Sequence, residues 1–126
     1  MTDWPGGLTA LTLVAEDLAA TKRFYLDVFE LPVVFEDESS AVFRFGETLV
    51  NLLDVGAAPE LIGPARVGDP DGQRFVLTLT VDDVDATVRR LTGRGVELLN
   101  GPVDRPWGPR TASFRDPAGH VWEISS

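Results

Sequence analysis

Leu11-Thr12-Leu13 alternates apolar and polar residues, and the alternation returns in Leu77-Thr78-Leu79-Thr80. A period of two marks a strand with one buried face. Each run is followed by an aspartate, Asp17 or Asp83, placed to cap a helix. The pattern predicts one helix from Leu18 to Phe29, stopping before Pro32, and another from Val84 to Thr92, stopping at Gly93 or Gly95. Short strand-like runs follow each helix: Val33 to Glu36, Ala41 to Phe45 and Thr48 to Leu53, then Val96 to Leu99, Arg110 to Arg115 and His120 to Ile124.

The two halves are copies. Leu8 to Tyr25 aligns with Arg74 to Leu91 at a constant offset of 66, and seven of the eighteen positions are identical, among them Leu11/Leu77, Thr12/Thr78, Asp17/Asp83, Ala20/Ala86 and Thr21/Thr87. The last two strands of each half match at an offset of 72, which sets Val42-Phe43 on Phe114-Arg115 and Asn51-Leu52 on Glu123-Ile124. The expected fold is therefore α+β, two tandem βαβββ modules within one domain: module one over 8–54 and module two over 74–126. The stretch 55–73, rich in Pro and Gly, is expected to be a linker.

Composition changes the picture mainly by exclusion. At 126 residues, 44% hydrophobic and 25% charged, the chain has the make-up of a folded globular protein. The absence of cysteine removes disulfides, thiolate nucleophiles and cysteine zinc sites. Eleven basic residues against twenty acidic ones give a net charge of −9, which repels nucleic acid and anionic membranes and favours a neutral or cationic small-molecule partner. Neither a secretory start nor an apolar run of membrane-spanning length is visible, so a cytoplasmic location is expected.

The duplicated βαβββ unit, Asp17 with Phe24-Tyr25, and Asp116-Pro117-Ala118-Gly119 followed by Glu123 resemble the vicinal oxygen chelate superfamily, which includes glyoxalases, bleomycin resistance proteins and extradiol dioxygenases. The resemblance runs from Leu8 to Ser125 and is nearest in pattern to bleomycin resistance-like members, through Trp107-Gly108 and Arg110. It implies a cup-shaped curved mixed sheet with helices on its outer face, holding either a divalent metal with its substrate or a metal-free ligand. It also implies a twofold homodimer whose contact would draw on Trp4, Pro5, Leu8, Leu61, Ile62 and Trp107. The superfamily's four metal-ligand positions fall on Ala10, Asn51, Val76 and Glu123, of which only Glu123 is a good donor. No metal or other cofactor is therefore expected.

Glu123 is the candidate that period two surrounds with context. Ala10, Thr12 and Val14 share one face of the first strand, as Val76, Thr78 and Thr80 do in the second copy, while Leu11, Leu13, Leu77 and Leu79 point to the helices. Thr12, Asn51, Thr78, Trp107, Arg110 and Glu123 are the expected ligand-binding residues, with Trp107 as a stacking surface and Glu123 as the acceptor for a cation or amine. Pairing of Glu123 with Arg110, without ligand contact, is the structural alternative. His120 reads as a solvent-exposed turn residue, and Phe43 and Phe45 as core. The leading function is metal-free binding or sequestration of a planar or cationic compound such as an antibiotic. The alternatives are a metal-dependent lyase, isomerase or dioxygenase, and a metal-free isomerase with Glu123 as catalytic acid or base and Asn51 steadying an oxyanion.

Overall fold

The aspartates expected to start the helices do so with the same hydrogen bonds in both copies. In a computed structural model describing residues 5–126, Asp17 Oδ1 accepts from the Ala20 amide and Asp83 Oδ1 from the Ala86 amide, each at 3.0 Å. Thr21 and Thr87 then donate their hydroxyls back to the Asp17 and Asp83 carbonyls, at 2.8 and 2.9 Å. The repeated Asp-x-x-Ala-Thr is thus a capping device, since a side-chain acceptor satisfies an amide that the first turn leaves without a partner. Trp4, one of the residues expected at a dimer contact, lies outside the described residues.

The chain divides into two compact units, one up to Val67 and one from Gly68 to Ser126. In the first, β1 (Ala10–Ala15), α1 (Leu18–Val28), β2 (Val33–Glu36), β3 (Ser40–Phe45) and β4 (Thr48–Asp54) form a four-stranded sheet of order β1-β4-β3-β2, backed by the helix. β1 runs parallel to β4, with Thr12 opposite Asn51, and the other neighbours are antiparallel. Tyr25 and Phe43 are fully buried with ring centroids 5.4 Å apart, and Phe29 and Phe45 extend the cluster at 5.1 Å. Phe43 and Phe45 are therefore core-side residues, as expected.

The second unit repeats the plan with β5 (Leu77–Thr80), α3 (Val84–Gly93), β6 (Leu98–Asp104), β7 (Arg110–Arg115) and β8 (Val121–Ser125), in the order β5-β8-β7-β6. Leu77, Phe114, Trp122 and Ile124 are buried on its helix side with Val84 and Leu91 of α3. The helix closes in a Schellman turn: the Val96 amide donates to the Leu91 carbonyl and the Gly95 amide to the Thr92 carbonyl, with Gly95 at φ +84°.

Three expectations are corrected. β6 spans Leu98–Asp104 rather than Val96 to Leu99, because Val96 belongs to the helix turn and the strand continues through Gly101-Pro102. Proline is tolerated there because β6 is the edge of its sheet, and two register shifts against β7 accommodate it. Second, the offset of 72 holds for β4 and β8 but not for β3 and β7. Val42 stands opposite Asn51 and Ser113 opposite Glu123, so Val42 matches Ser113, and Phe43 matches Phe114, at an offset of 71. The hairpin of module two is one residue longer, and its extra residue lies in the Asp116–Gly119 turn, where buried Asp116 accepts from the Ala118 and His120 amides.

The third correction concerns the connection, which is more than a bare linker. It holds a 3-10 turn, Val55–Ala57, with Asp54 accepting from the Gly56 amide, and a short helix, α2 (Ala58–Ile62), with Ala58 fully buried. Its distal part packs on the Asp116–Gly119 turn. Gly119 has φ +95°, and a Cβ there would meet the Pro70 carbonyl oxygen at 2.3 Å.

Two stability effects follow in equilibrium urea unfolding. Asp17→Ala and Asp83→Ala should each cost about 1 kcal/mol, the usual worth of a helix cap. Gly119→Ala should cost more than either, because both its backbone angle and the Pro70 contact oppose a side chain.

Candidate functional site

One face of each sheet is committed to its helix, and the other carries a row of side chains at matched positions. In module one the row is Thr12, Asn51, Val42 and Phe35, from β1 to β2. In module two it is Thr78, Glu123, Ser113 and Asn100, from β5 to β6. Thr12 and Thr78 are exposed on these open faces, whereas Leu13 and Leu77 of the same strands are buried against the helices. The parallel pairing of the first and last strand of each module places threonine beside Asn51 in one and beside Glu123 in the other.

Glu123 is half-buried, and its Oε1 accepts the Thr78 hydroxyl at 3.0 Å. Among the described residues, its second oxygen, Oε2, has no hydrogen-bond or ion-pair partner. Pairing with Arg110 does not occur. Arg110 begins β7 in line with Ala112 and Phe114, on the helix side, and its guanidinium makes two bonds of 3.0 Å to the Asp85 carboxylate of α3 and one of 3.2 Å to Asp104. This clamp holds the Asp85 carboxyl below the ordinary aspartate range, chiefly through the Arg110 hydrogen bonds, and raises Arg110. Arg110, expected among the ligand-binding residues, is thus occupied in joining β7 to α3 on the face away from Glu123.

Trp107 occupies a turn closed by the Gly108 amide donating to the Arg105 carbonyl, and its side chain is 73% exposed. The Arg105 guanidinium lies 5.8 Å from the indole centroid. Arg105 also donates from Nε to the Thr111 hydroxyl and from Nη2 to Asn100 Oδ1, both at 2.8 Å. Thr111 and Asn100 belong to the Glu123 face, so Arg105 ties the tryptophan turn to that face. Sequence reasoning missed Arg105, Asn100 and Ser113. The signal for Arg105 was its place two residues before Trp107, and period two along β7 would have put Ser113 beside Glu123 had the hairpin offset been right. His120, expected to be solvent-exposed, is half-buried with its ring 6.4 Å from that of Phe75.

The open face of module one is more apolar. Leu49, Leu53 and Val42 surround Asn51, Phe35 is 60% exposed at the edge, and Arg44, opposite Leu49, is an exposed cation on the same face. Asn51 Oδ1 is buried without a hydrogen-bond partner. A separate cleft of about 560 Å³ in this module is lined by acidic residues, including Glu16, Asp17, Glu36 and Asp37, and does not include Thr12 or Asn51.

These donors do not fit a divalent metal of the enzyme type. Ala10 and Val76 supply no donor atom, and Asn51 supplies a neutral amide oxygen only. Among the described residues, no three His, Cys, Asp or Glu side chains gather as such an ion requires. No described helix is long and apolar enough to cross a membrane.

Comparison with known proteins adds the following. The family described as the Glyoxalase/Bleomycin resistance protein/Dioxygenase superfamily matches residues 7–124. A Bacillus subtilis protein, YraH, itself uncharacterised, is 35% identical over 122 residues, covering 93% of this chain and 95% of that protein. Among solved structures, a glyoxalase/bleomycin resistance protein/dioxygenase from Nocardioides superposes with a TM-score of 0.86 at 28% identity, covering 98% of this chain and 85% of that one. A lactoylglutathione lyase from Agrobacterium tumefaciens gives 0.78 at 26%, covering 96% and 93%.

The Arg110 clamp has a pH signature. The folded-state pKa of Asp85 is depressed, so its stabilisation is complete above the unfolded aspartate value of about 3.9 and disappears as pH falls through the lower folded value. Melting temperatures of the native chain and of Asp85→Asn should therefore be separated at pH 6, begin to approach each other below about pH 4 and converge once pH is below the depressed folded value.

Proposed function

The chain belongs to the Glyoxalase/Bleomycin resistance protein/Dioxygenase superfamily, and on that footing we propose that it binds a planar, cationic small molecule, such as an antibiotic, without a divalent metal. The observation that carries this reading is the Glu123 carboxylate. Thr78 steadies one oxygen, and the other has no partner among the described residues on a half-buried face. An anion so placed accepts a charge-assisted hydrogen bond from an amine or amidine, worth roughly twice a neutral one. Thr78 and Ser113 supply hydroxyls beside it, and the exposed indole of Trp107, tied to this face through Arg105, offers a flat apolar surface. The net charge of −9 draws cations towards the protein.

The same carboxylate favours a second reading, a metal-free proton-transferring isomerase. A base oriented by one hydrogen bond, with a free oxygen for the substrate proton, is the arrangement general-base chemistry needs. Here Glu123→Gln would abolish a turnover that persists in the presence of a chelator, whereas a sequestering protein shows no turnover to lose.

The expected result of a thermal-shift panel of planar cationic compounds, bleomycin included, is stabilisation by at least one of them that does not depend on added divalent metal. Glu123→Gln should weaken that compound by about 10- to 100-fold, the equivalent of one hydrogen bond to a charged group. A panel in which nothing stabilises the protein, or in which Glu123→Gln binds as well as the native chain, would remove the proposal.

We further propose a homodimer that covers some of the exposed apolar side chains, which include Leu8 and Leu61 at 68% and 62% exposure. Light scattering at micromolar concentration should return twice the mass of one chain; a single chain's mass would overturn the dimer.

A further inference from the structure

We propose that Arg105 reads an acidic group of the bound compound, so that the open face of module two selects a flat zwitterion with its amine at Glu123 and its carboxylate at Arg105. The proposal rests on the small-molecule reading above. It adds a second charged group to the ligand and names the residue that recognises it.

Only two of the chain's arginines, Arg105 and Arg110, are half-buried; the others are exposed. Their surroundings differ. Arg110 meets two carboxylates, those of Asp85 and Asp104. Arg105 meets none among the described residues, although Asp104 precedes it in the chain. Its side-chain partners are neutral acceptors, the Thr111 hydroxyl and Asn100 Oδ1, each at 2.8 Å. Taking a cation partly out of water without a counter-charge costs free energy, and neither Thr111 nor Asn100 needs a charge to satisfy it. A guanidinium carries five N–H donors, of which these bonds use one on Nε and one on Nη2. The edge formed by Nη1 and the second hydrogen of Nη2 has no partner among the described residues. Held by two short bonds, with the Trp107 indole centroid 5.8 Å away, the group is a pre-oriented fork of the kind that takes a carboxylate through paired hydrogen bonds.

The rest of this face specifies the companion group. Thr78, Ser113, Asn100, Thr111 and Ser125 are neutral, and the other charged side chains are Glu123 and Arg115. Arg115, opposite Val121, is exposed at the turn end of β7 and donates to the Gly119 carbonyl at 3.2 Å. Asn100, which anchors Arg105, lies two strands from Glu123, about 10 Å away at ordinary strand spacing. A bicyclic ring spans that gap. The net charge of −9 repels a simple anion, so an acid that reaches Arg105 arrives on a molecule that also carries a cation, and Glu123 is the acceptor for it. The direction in which the compound lies follows from the indole. A positive charge already stands beside Trp107, so the amine end is repelled from the tryptophan turn and the acidic end is drawn to it.

The probes that isolate the acidic contact are 6-(aminomethyl)-2-naphthoic acid and its methyl ester, which share a ring and an amine and differ in the carboxylate charge. In calorimetric titrations of the full chain near neutral pH, the acid should bind at least about tenfold tighter than the ester, the worth of one hydrogen bond between charged groups. Arg105→Gln, which removes the cation, should bring the two probes within about twofold of each other by weakening the acid alone. Arg115→Gln, which removes the other cation of this face, should leave the preference in place. Equal binding of the two probes by the native chain, tighter binding of the ester, binding of neither, or a preference that Arg105→Gln retains or Arg115→Gln abolishes would overturn the proposal. The comparison in the native chain needs no variant, so it decides the matter even where Arg105→Gln does not fold. Where the ester binds through Glu123 and the acid gains nothing, this inference alone fails; where neither probe binds and no cationic compound stabilises the chain, the small-molecule reading fails as well.

Discussion

The parallel pairing of first strand with last, β1 with β4 and β5 with β8, is the constraint on which the rest of each module depends. Parallel neighbours cannot be joined by a tight turn, so the chain must leave the sheet and return, and the intervening helix does this while covering one face. The Asp17 and Asp83 caps start that helix within three residues of the strand end, so the helix lies over its own sheet. Once the pairing is set, a register error of one residue would turn Leu13 and Leu52, or Leu77 and Trp122, out of the core. The burial that stabilises the fold thereby also fixes which side chains stand on the open faces.

Those faces show how one backbone plan supports two chemistries. Module two gathers hydroxyls, an amide and a guanidinium on the face of the Glu123 carboxylate; module one sets Asn51 beside Thr12 among leucine, valine and phenylalanine, with Arg44 on the same face. None of these side chains contributes to its helix-side core, so each was free to change without repacking Tyr25 and Phe43 or Phe114 and Trp122. Arg110 marks the boundary of that freedom. Its bonds to Asp85 and Asp104 make it part of the scaffold, on the face of β7 away from Glu123.

What could be read from the chain was whatever local rules control. Identical residues at Asp17/Asp83, Ala20/Ala86 and Thr21/Thr87 are identical because the cap uses them, so the repeat was visible and its structural meaning correct. Period two placed Thr78 beside Glu123 for the same reason. Non-local choices were hidden. The extra hairpin residue at Asp116–Gly119 shifts β7 by one against a uniform offset, and this concealed Ser113. Glycine-proline in β6 reads as a strand end unless it is known that β6 lies at an edge. Arg105 acquires its position only when β6, the tryptophan turn and β7 come together, which no spacing in the sequence announces.

The same physics explains why this fold does not depend on donors at Ala10 and Val76. A structural metal makes the folding of its domain depend on its donors, whereas here each sheet is complete through its own ladders and each core through its own helix. Ala10 and Val76 lie outside both cores, exposed at the start of β1 and just ahead of β5, so substituting a donor there costs the architecture little. Glu123 and Asn51 sit deeper, half-buried in the middle of β8 and β4, where a polar group carries a desolvation cost that must be met. Thr78 meets it for Glu123, and no described residue meets it for Asn51 Oδ1. The two positions without a donor atom are thus the ones where a side-chain change is nearly neutral, and the two polar ones are those where polarity is costly.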